Sequence, residues 1–147
     1  MQKHWDPENQ YSHGDLKFYS HWFLGVNYCQ PTIGTLVIVT LRPGLENFSG
    51  LQEEEFRELL QVMKEAECML GSHSALRPNR YNYLQMGNVL HTLHFHLIPR
   101  YDKPRKFLEK TWKDPTYGHA PRKLSECKVG SELVRAIRDE LKQYLRE

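Results

Sequence analysis

The order of apolar and polar positions divides the chain into a few elements. Residues 16–24 alternate, with Leu16, Phe18, Ser20, Trp22 and Leu24 on one parity, which predicts a strand with one buried face. Residues 35–41 are β-branched and almost wholly apolar, the pattern of a central strand covered on both sides, and Arg42-Pro43-Gly44 ends it. Over residues 49–70, Leu51, Phe56, Leu59, Leu60, Met63, Ala66 and Leu70 recur at spacings of three and four. Glu53, Glu54, Glu58, Lys64 and Glu65 take the opposite side, so the segment reads as a long helix laid on a sheet. Acidic residues crowd its first turn and Gly71 falls where a C-terminal cap is expected. A second hairpin is expected from residues 81–85 and 90–98, joined by Met86-Gly87-Asn88 and stopped by Pro99. Residues 131–146 carry Leu133, Val134, Ile137, Leu141, Tyr144 and Leu145 on one helical stripe behind an N-cap at Ser131.

The remaining stretches lack a sustained period. Residues 1–15 read as an arm, residues 72–80 as a polar loop, and residues 112–121 as a turn-rich aromatic segment that could form a lid or a partner contact. The elements sum to an α+β fold: an antiparallel sheet of four to six strands, one long helix and a C-terminal helix. With 147 residues, the chain is expected to be one domain, 1–147, with an arm at 1–15 and a C-terminal segment at 102–147.

Composition narrows the function classes. Lys plus Arg number 20 against 18 Asp plus Glu, a formal net charge of +2, which calls for no nucleic acid partner. Cys29, Cys68 and Cys127 form no CxxC pair and suit a reducing cytoplasm better than a disulfide scaffold. No run approaches the roughly 18 apolar residues of a membrane span, so a soluble, cytoplasmic protein is expected. There is no glycine-rich phosphate loop and no internal repeat.

Chemistry concentrates in one place. His91, His94 and His96 are three of eight histidines and fall within six positions. On a strand Thr92, His94 and His96 share one face while Leu93, Phe95 and Leu97 share the other, leaving His91 on the wrong parity. A zinc site is one reading, but no Cys, Asp or Glu stands at a standard ligand spacing, so no metal site is expected. The other reading is a nucleophilic imidazole that attacks phosphorus and carries the group as a phosphoramidate, provided its second nitrogen has a fixed acceptor. Polar residues near this run, Asn82, Asn88 and Arg100, could be ordinary turn or surface residues or could meet phosphate oxygens. The basic run from Arg100 to Lys106 has the same two readings.

His94-Phe95-His96-Leu97-Ile98-Pro99-Arg100, preceded by Gly87-Asn88-Val89, resembles the signature of the histidine triad (HIT) family of nucleotide hydrolases and transferases, including its bacterial diadenosine polyphosphate hydrolase-like members. That family's pattern is three histidines alternating with apolar residues, the middle one being the nucleophile. The resemblance puts His94 in that role and His96 beside the phosphoryl and leaving oxygens. Thr92 stands where the first histidine is usual, and Thr35 where a histidine commonly follows the glycine of the upstream segment. Phe23 to Asn27 and Gly34 to Val39 resemble the family's nucleoside-holding strand–loop–strand, which gives Asn27 to the nucleoside and Asn88 to the phosphates. The likeness spans residues 18–101. It implies a hydrolase of nucleotidyl phosphate bonds, of the dinucleoside polyphosphate or the nucleoside phosphoramidate type, with a nucleotide or dinucleoside polyphosphate as ligand, a histidine-bound intermediate and a homodimer. It implies no protein-bound cofactor; Mg2+ would accompany the substrate's phosphates. With two histidines replaced by threonine, a silent nucleotide-binding protein is the alternative. Water or inorganic phosphate could each serve as acceptor.

Overall fold

The central strand predicted at residues 35–41 is β3 (Leu36–Thr40), every residue of it buried, with β2 (Trp22–Val26) on one side and β5 (His94–Arg100) on the other. β1 (Asp15–Phe18) extends the sheet beyond β2, and β4 (Arg80–Leu84) beyond β5, giving the antiparallel order β1-β2-β3-β5-β4. Two helices, α1 (Glu53–Ser72) and α2 (Ser131–Lys142), complete an α+β fold, with a small separate hairpin of β6 (Arg105–Phe107) and β7 (Lys110–Trp112). These elements come from a computed structural model, which describes residues 12–145. Most of the expected arm, residues 1–11, and the expected end of the last helix at 146 lie outside the described residues. Among the described residues no helix is long and apolar enough to cross a membrane.

Side-chain alternation sorts the sheet's two faces. Trp22, Leu24, Leu36, Ile38, Phe95 and Leu97 enter the main core with Leu59, Val62 and Ala66 of α1 and Val134, Ile137 and Leu141 of α2. Phe23, Val37 and Val39 form a separate cluster on the opposite face. Burying a side chain of this size is worth about 1.5–3 kcal/mol, so the helix-covered face is what fixes the register of β5 and hence the direction of its polar positions.

Several boundaries differ from the periodic reading. Residues 16–24 are two strands, β1 and β2, because the chain reverses at Tyr19-Ser20-His21. The backbone N–H groups of Ser20 and His21 donate to the Glu58 carboxylate of α1 at 3.3 and 2.6 Å, a distant support that local alternation does not register. The apolar stripe of α1 is rotated from the expected one: Leu59, Val62, Ala66, Met69 and Leu70 are buried, whereas Phe56 and Leu60 face outward. Glu55 is buried at the start of this stripe because Arg42 meets its carboxylate at 2.7 Å and the Gln52 N–H donates to it at 2.8 Å.

Gly71 lies inside α1 rather than capping it. A β-carbon there would sit 3.3 Å from the hydroxyl of Tyr81, which donates to the carbonyl of Glu67, so the glycine answers a close approach. The cap position of α2 is Gly130, with Ser131 as its first residue. Pro99 is within β5, paired with Tyr81; β3 ends its pairing at Leu97, so the missing N–H interrupts no central ladder. The polar loop after α1 is docked rather than free: His73 is buried and its Nε2 lies 3.1 Å from Glu140 of α2.

Candidate active site

His94 and His96 are the first and third residues of β5, and their alternation places both on the face away from the helices. His94 is cross-strand from Val39, and His96 lies between Val37 of β3 and Leu84 of β4. The two rings meet edge to face, 4.9 Å between centroids and 89° between planes. β5 begins at His94, so Thr92 belongs to the connection before it and does not share a strand face with the histidines. His91 lies exposed in the same connection.

The Nδ1 of His94 is 2.7 Å from the backbone carbonyl of Thr92. A carbonyl oxygen only accepts, so Nδ1 carries the proton, and in the neutral ring Nε2 holds the free lone pair. His94 is 8% exposed, which limits the geometries open to it. His96 is half-buried: desolvation first, then the neighbouring His94, lowers its pKa to about 4. It is therefore neutral near pH 7. Its Nδ1 is buried and has no hydrogen-bond partner among the described residues, so packing holds the ring.

Both histidines line a cavity of about 890 Å³, at the large end of the range for small-molecule pockets. Val26, Val37, Val39 and Leu84 supply an apolar wall; the connection between β4 and β5, with Met86, Asn88 and Val89, supplies another. Asn27 lines the cavity at the end of β2, with its amide donating to the carbonyl of Cys29 at 3.0 Å. Asn88 lines it from an exposed position.

Asn82 and Arg100 lie elsewhere and hold each other. Arg100 is not in a solvated basic loop; it ends β5 and is 3% exposed. Its guanidinium donates to Asp114 at 2.7 and 3.1 Å, to Asn82 at 2.8 Å, and to the carbonyls of Thr116 and His119 at 2.9 and 2.7 Å. Neither Asn82 nor Arg100 lines the cavity. Thr35 is fully buried, its hydroxyl donating to the carbonyl of Thr32 at 2.8 Å.

Two groups of residues at or near the site gave no sequence signal. Gln30 braces the loop between β2 and β3: its amide donates to the carbonyls of Asn27 and Thr35 at 2.7 and 2.9 Å, and its oxygen accepts from the N–H groups of Gly34 and Thr35 at 2.8 and 3.1 Å. Gly34 turns there with φ +98°, a conformation that favours glycine. Arg122, Lys123 and Lys128 come from far along the chain to line the cavity. They arrive through an isolated antiparallel bridge between Cys29 and Lys128. Among the described residues no group of three His, Cys, Asp or Glu side chains is arranged to hold a metal ion.

A sequence profile of the HIT domain matches residues 23–103. No curated protein matches the chain. Solved structures share its fold at low identity. A Hit-like protein involved in cell-cycle regulation from Bartonella henselae has a TM-score of 0.65 and 12% identity, over 89% of this chain and 85% of that one. A hypothetical histidine triad nucleotide-binding protein from Sulfolobus tokodaii has a TM-score of 0.62 and 17% identity, over 88% and 81%. A diadenosine triphosphate hydrolase from Plasmodium falciparum has a TM-score of 0.59 and 13% identity, over 89% and 78%. The profile covers more than half of the chain, including both histidines of the cavity, and the chain belongs to the HIT domain family.

Proposed function

We propose that this protein is a nucleotide-phosphate hydrolase or nucleotidyl transferase that works through a nucleotidyl intermediate on His94. The observation that carries this reading is the bond from His94 Nδ1 to the Thr92 carbonyl, 2.7 Å, because it fixes the tautomer in which Nε2 is the nucleophile. The Nε2 lone pair forms the N–P bond at the α-phosphorus while the P–O bond to the leaving group breaks and that oxygen departs with the electron pair. Water then attacks phosphorus, the N–P bond breaks, the nucleoside monophosphate leaves, and the water's proton is released. His96, neutral near pH 7, keeps one ring N–H for a phosphoryl or leaving oxygen.

The apolar wall of Val26, Val37 and Val39 suits a nucleobase, with Asn27 at the ribose and Asn88 near the phosphates. The Plasmodium relative's description as a diadenosine triphosphate hydrolase supports a dinucleoside polyphosphate as substrate, with Mg2+ arriving on its phosphates. A homodimer belongs to the same proposal, tested by light scattering, where a mass of one chain would refute it. The three free cysteines fit a reducing compartment such as the cytoplasm.

Product chromatography with diadenosine tetraphosphate tests the activity. The wild type should release AMP and the His94→Ala protein should not; a switch to ADP when inorganic phosphate is added would identify phosphate as the acceptor. Saturable binding with no product from the wild type would instead make the protein a silent nucleotide binder.

A further inference from the structure

One wall of the cavity comes from residues 120–125 and Lys128, beyond the stretch the family profile matches. It carries three cations, Arg122, Lys123 and Lys128, and no Asp or Glu lines the cavity among the described residues. Arg122 donates to the carbonyl of Pro31 at 2.7 Å, a neutral partner, and forms no ion pair among the described residues. Lys123 and Lys128 are exposed and form no ion pair among the described residues. With the whole chain at a formal +2, three positive charges around one cavity are a local concentration.

This wall is held in place before any ligand binds. Upstream, Arg100 ties Asp114, Thr116 and His119 to the end of β5, the strand that carries His94 and His96. Downstream, the Gln30 N–H donates to the Cys127 carbonyl and the Val129 N–H to the Tyr28 carbonyl, both at 2.9 Å. The backbone that bears the cations is therefore tied to the strands that border the two histidines. A neutral amine or alcohol as leaving group would bring them no anionic oxygens beyond those of the α-phosphate, whereas a longer phosphate chain would.

We propose that Arg122, Lys123 and Lys128, outside the stretch the family profile matches, form a polyphosphate-binding wall that favours a phosphorylated leaving group, which makes them specificity-determining residues of the reaction proposed above. This rests on the nucleotide reading above and names its leaving group. The basic run at Arg100 to Lys106 takes no part: Lys103 and Lys106 are exposed and do not line the cavity.

The test is calorimetric titration of AMP, ADP and ATP into the full chain carrying His94→Ala, which prevents turnover, with and without Lys123→Ala/Lys128→Ala. Both lysines are exposed, so the fold should survive, and circular dichroism checks it. In the lysine-containing protein affinity should rise from AMP to ATP; the double substitution should cut ATP affinity by about tenfold or more and leave AMP within about twofold. Lys123→Arg/Lys128→Arg should keep the preference for ATP, and Lys103→Ala/Lys106→Ala should leave it unchanged. An equal loss for AMP and ATP, no loss, or the same loss from the Lys103/Lys106 pair would overturn the wall while leaving the nucleotide reading intact. Absence of binding by AMP, ADP and ATP alike to the lysine-containing protein would refute both.

Discussion

His94 is oriented by the backbone of Thr92, not by its side chain: the ring Nδ1 donates to the Thr92 carbonyl at 2.7 Å. In the family pattern position 92 is usually histidine, and the contact seen here does not depend on which side chain stands there. Thr92→Ala should therefore preserve the Nδ1–H tautomer of His94, seen in long-range 15N–1H correlation spectra, and keep kcat/KM within about threefold. A loss of about a hundredfold, or a switch to the Nε2–H tautomer, would show that the threonine hydroxyl has a part in the site.

His96 should make stability depend on pH. Its pKa is lowered to about 4 by burial and by His94, from 6.5 when unfolded, so between those values the unfolded chain binds more protons. The contribution is present above pH 6.5 and is lost as pH falls towards 4. Urea denaturation at pH 7 and pH 4.5 should show the wild type losing roughly 2 kcal/mol more than His96→Gln over that interval. Equal pH dependence in the two proteins would mean that His96 is solvated.

The Arg100–Asp114 pair is buried on both sides, with side chains 4% and 1% exposed. Asp114→Ala strands a guanidinium away from water and should cost about 3–5 kcal/mol in urea denaturation. Since this pair tethers the segment leading to the basic wall, limited proteolysis should also cut residues 112–128 faster in the variant. A cost under about 1 kcal/mol would mean that the segment relaxes and solvates Arg100.

Thr35 is enclosed, and its neighbours are built for threonine. Restoring the family's common residue by Thr35→His should lower stability by about 1–3 kcal/mol through overpacking and the lost bond to the Thr32 carbonyl, without raising activity. A Thr35→His protein of wild-type melting temperature and higher turnover would reverse that conclusion.

What could be read from the chain alone follows the range of the interactions involved. The shared face of His94 and His96 and the core face of Phe95 and Leu97 were legible because a strand's period is local. The central position of β3 was legible from its unbroken β-branched run. The reversal at Ser20 and His21 was not, because its support is Glu58 on a distant helix. The outward turn of Phe56 and Leu60 was hidden because spacings of three and four fit two adjacent stripes; the face the helix buries takes in Val62 and Met69, with Glu55 accommodated by Arg42. Arg100 sat in a basic run that reads as surface, yet Asp114, fourteen residues on, draws it inside. Lys128 reaches the cavity through pairing of its segment with Tyr28, Cys29 and Gln30, about a hundred residues earlier in the chain.

The most direct test of His94 as nucleophile is rapid alkaline quenching of the wild type with radiolabelled diadenosine tetraphosphate, followed by peptide mapping by mass spectrometry. The expected result is an acid-labile, alkali-stable nucleotidyl group on the peptide containing His94, formed and lost at rates that match turnover and absent from His94→Ala. Turnover by the wild type with the label elsewhere, or equal turnover by His94→Ala, would contradict the assignment.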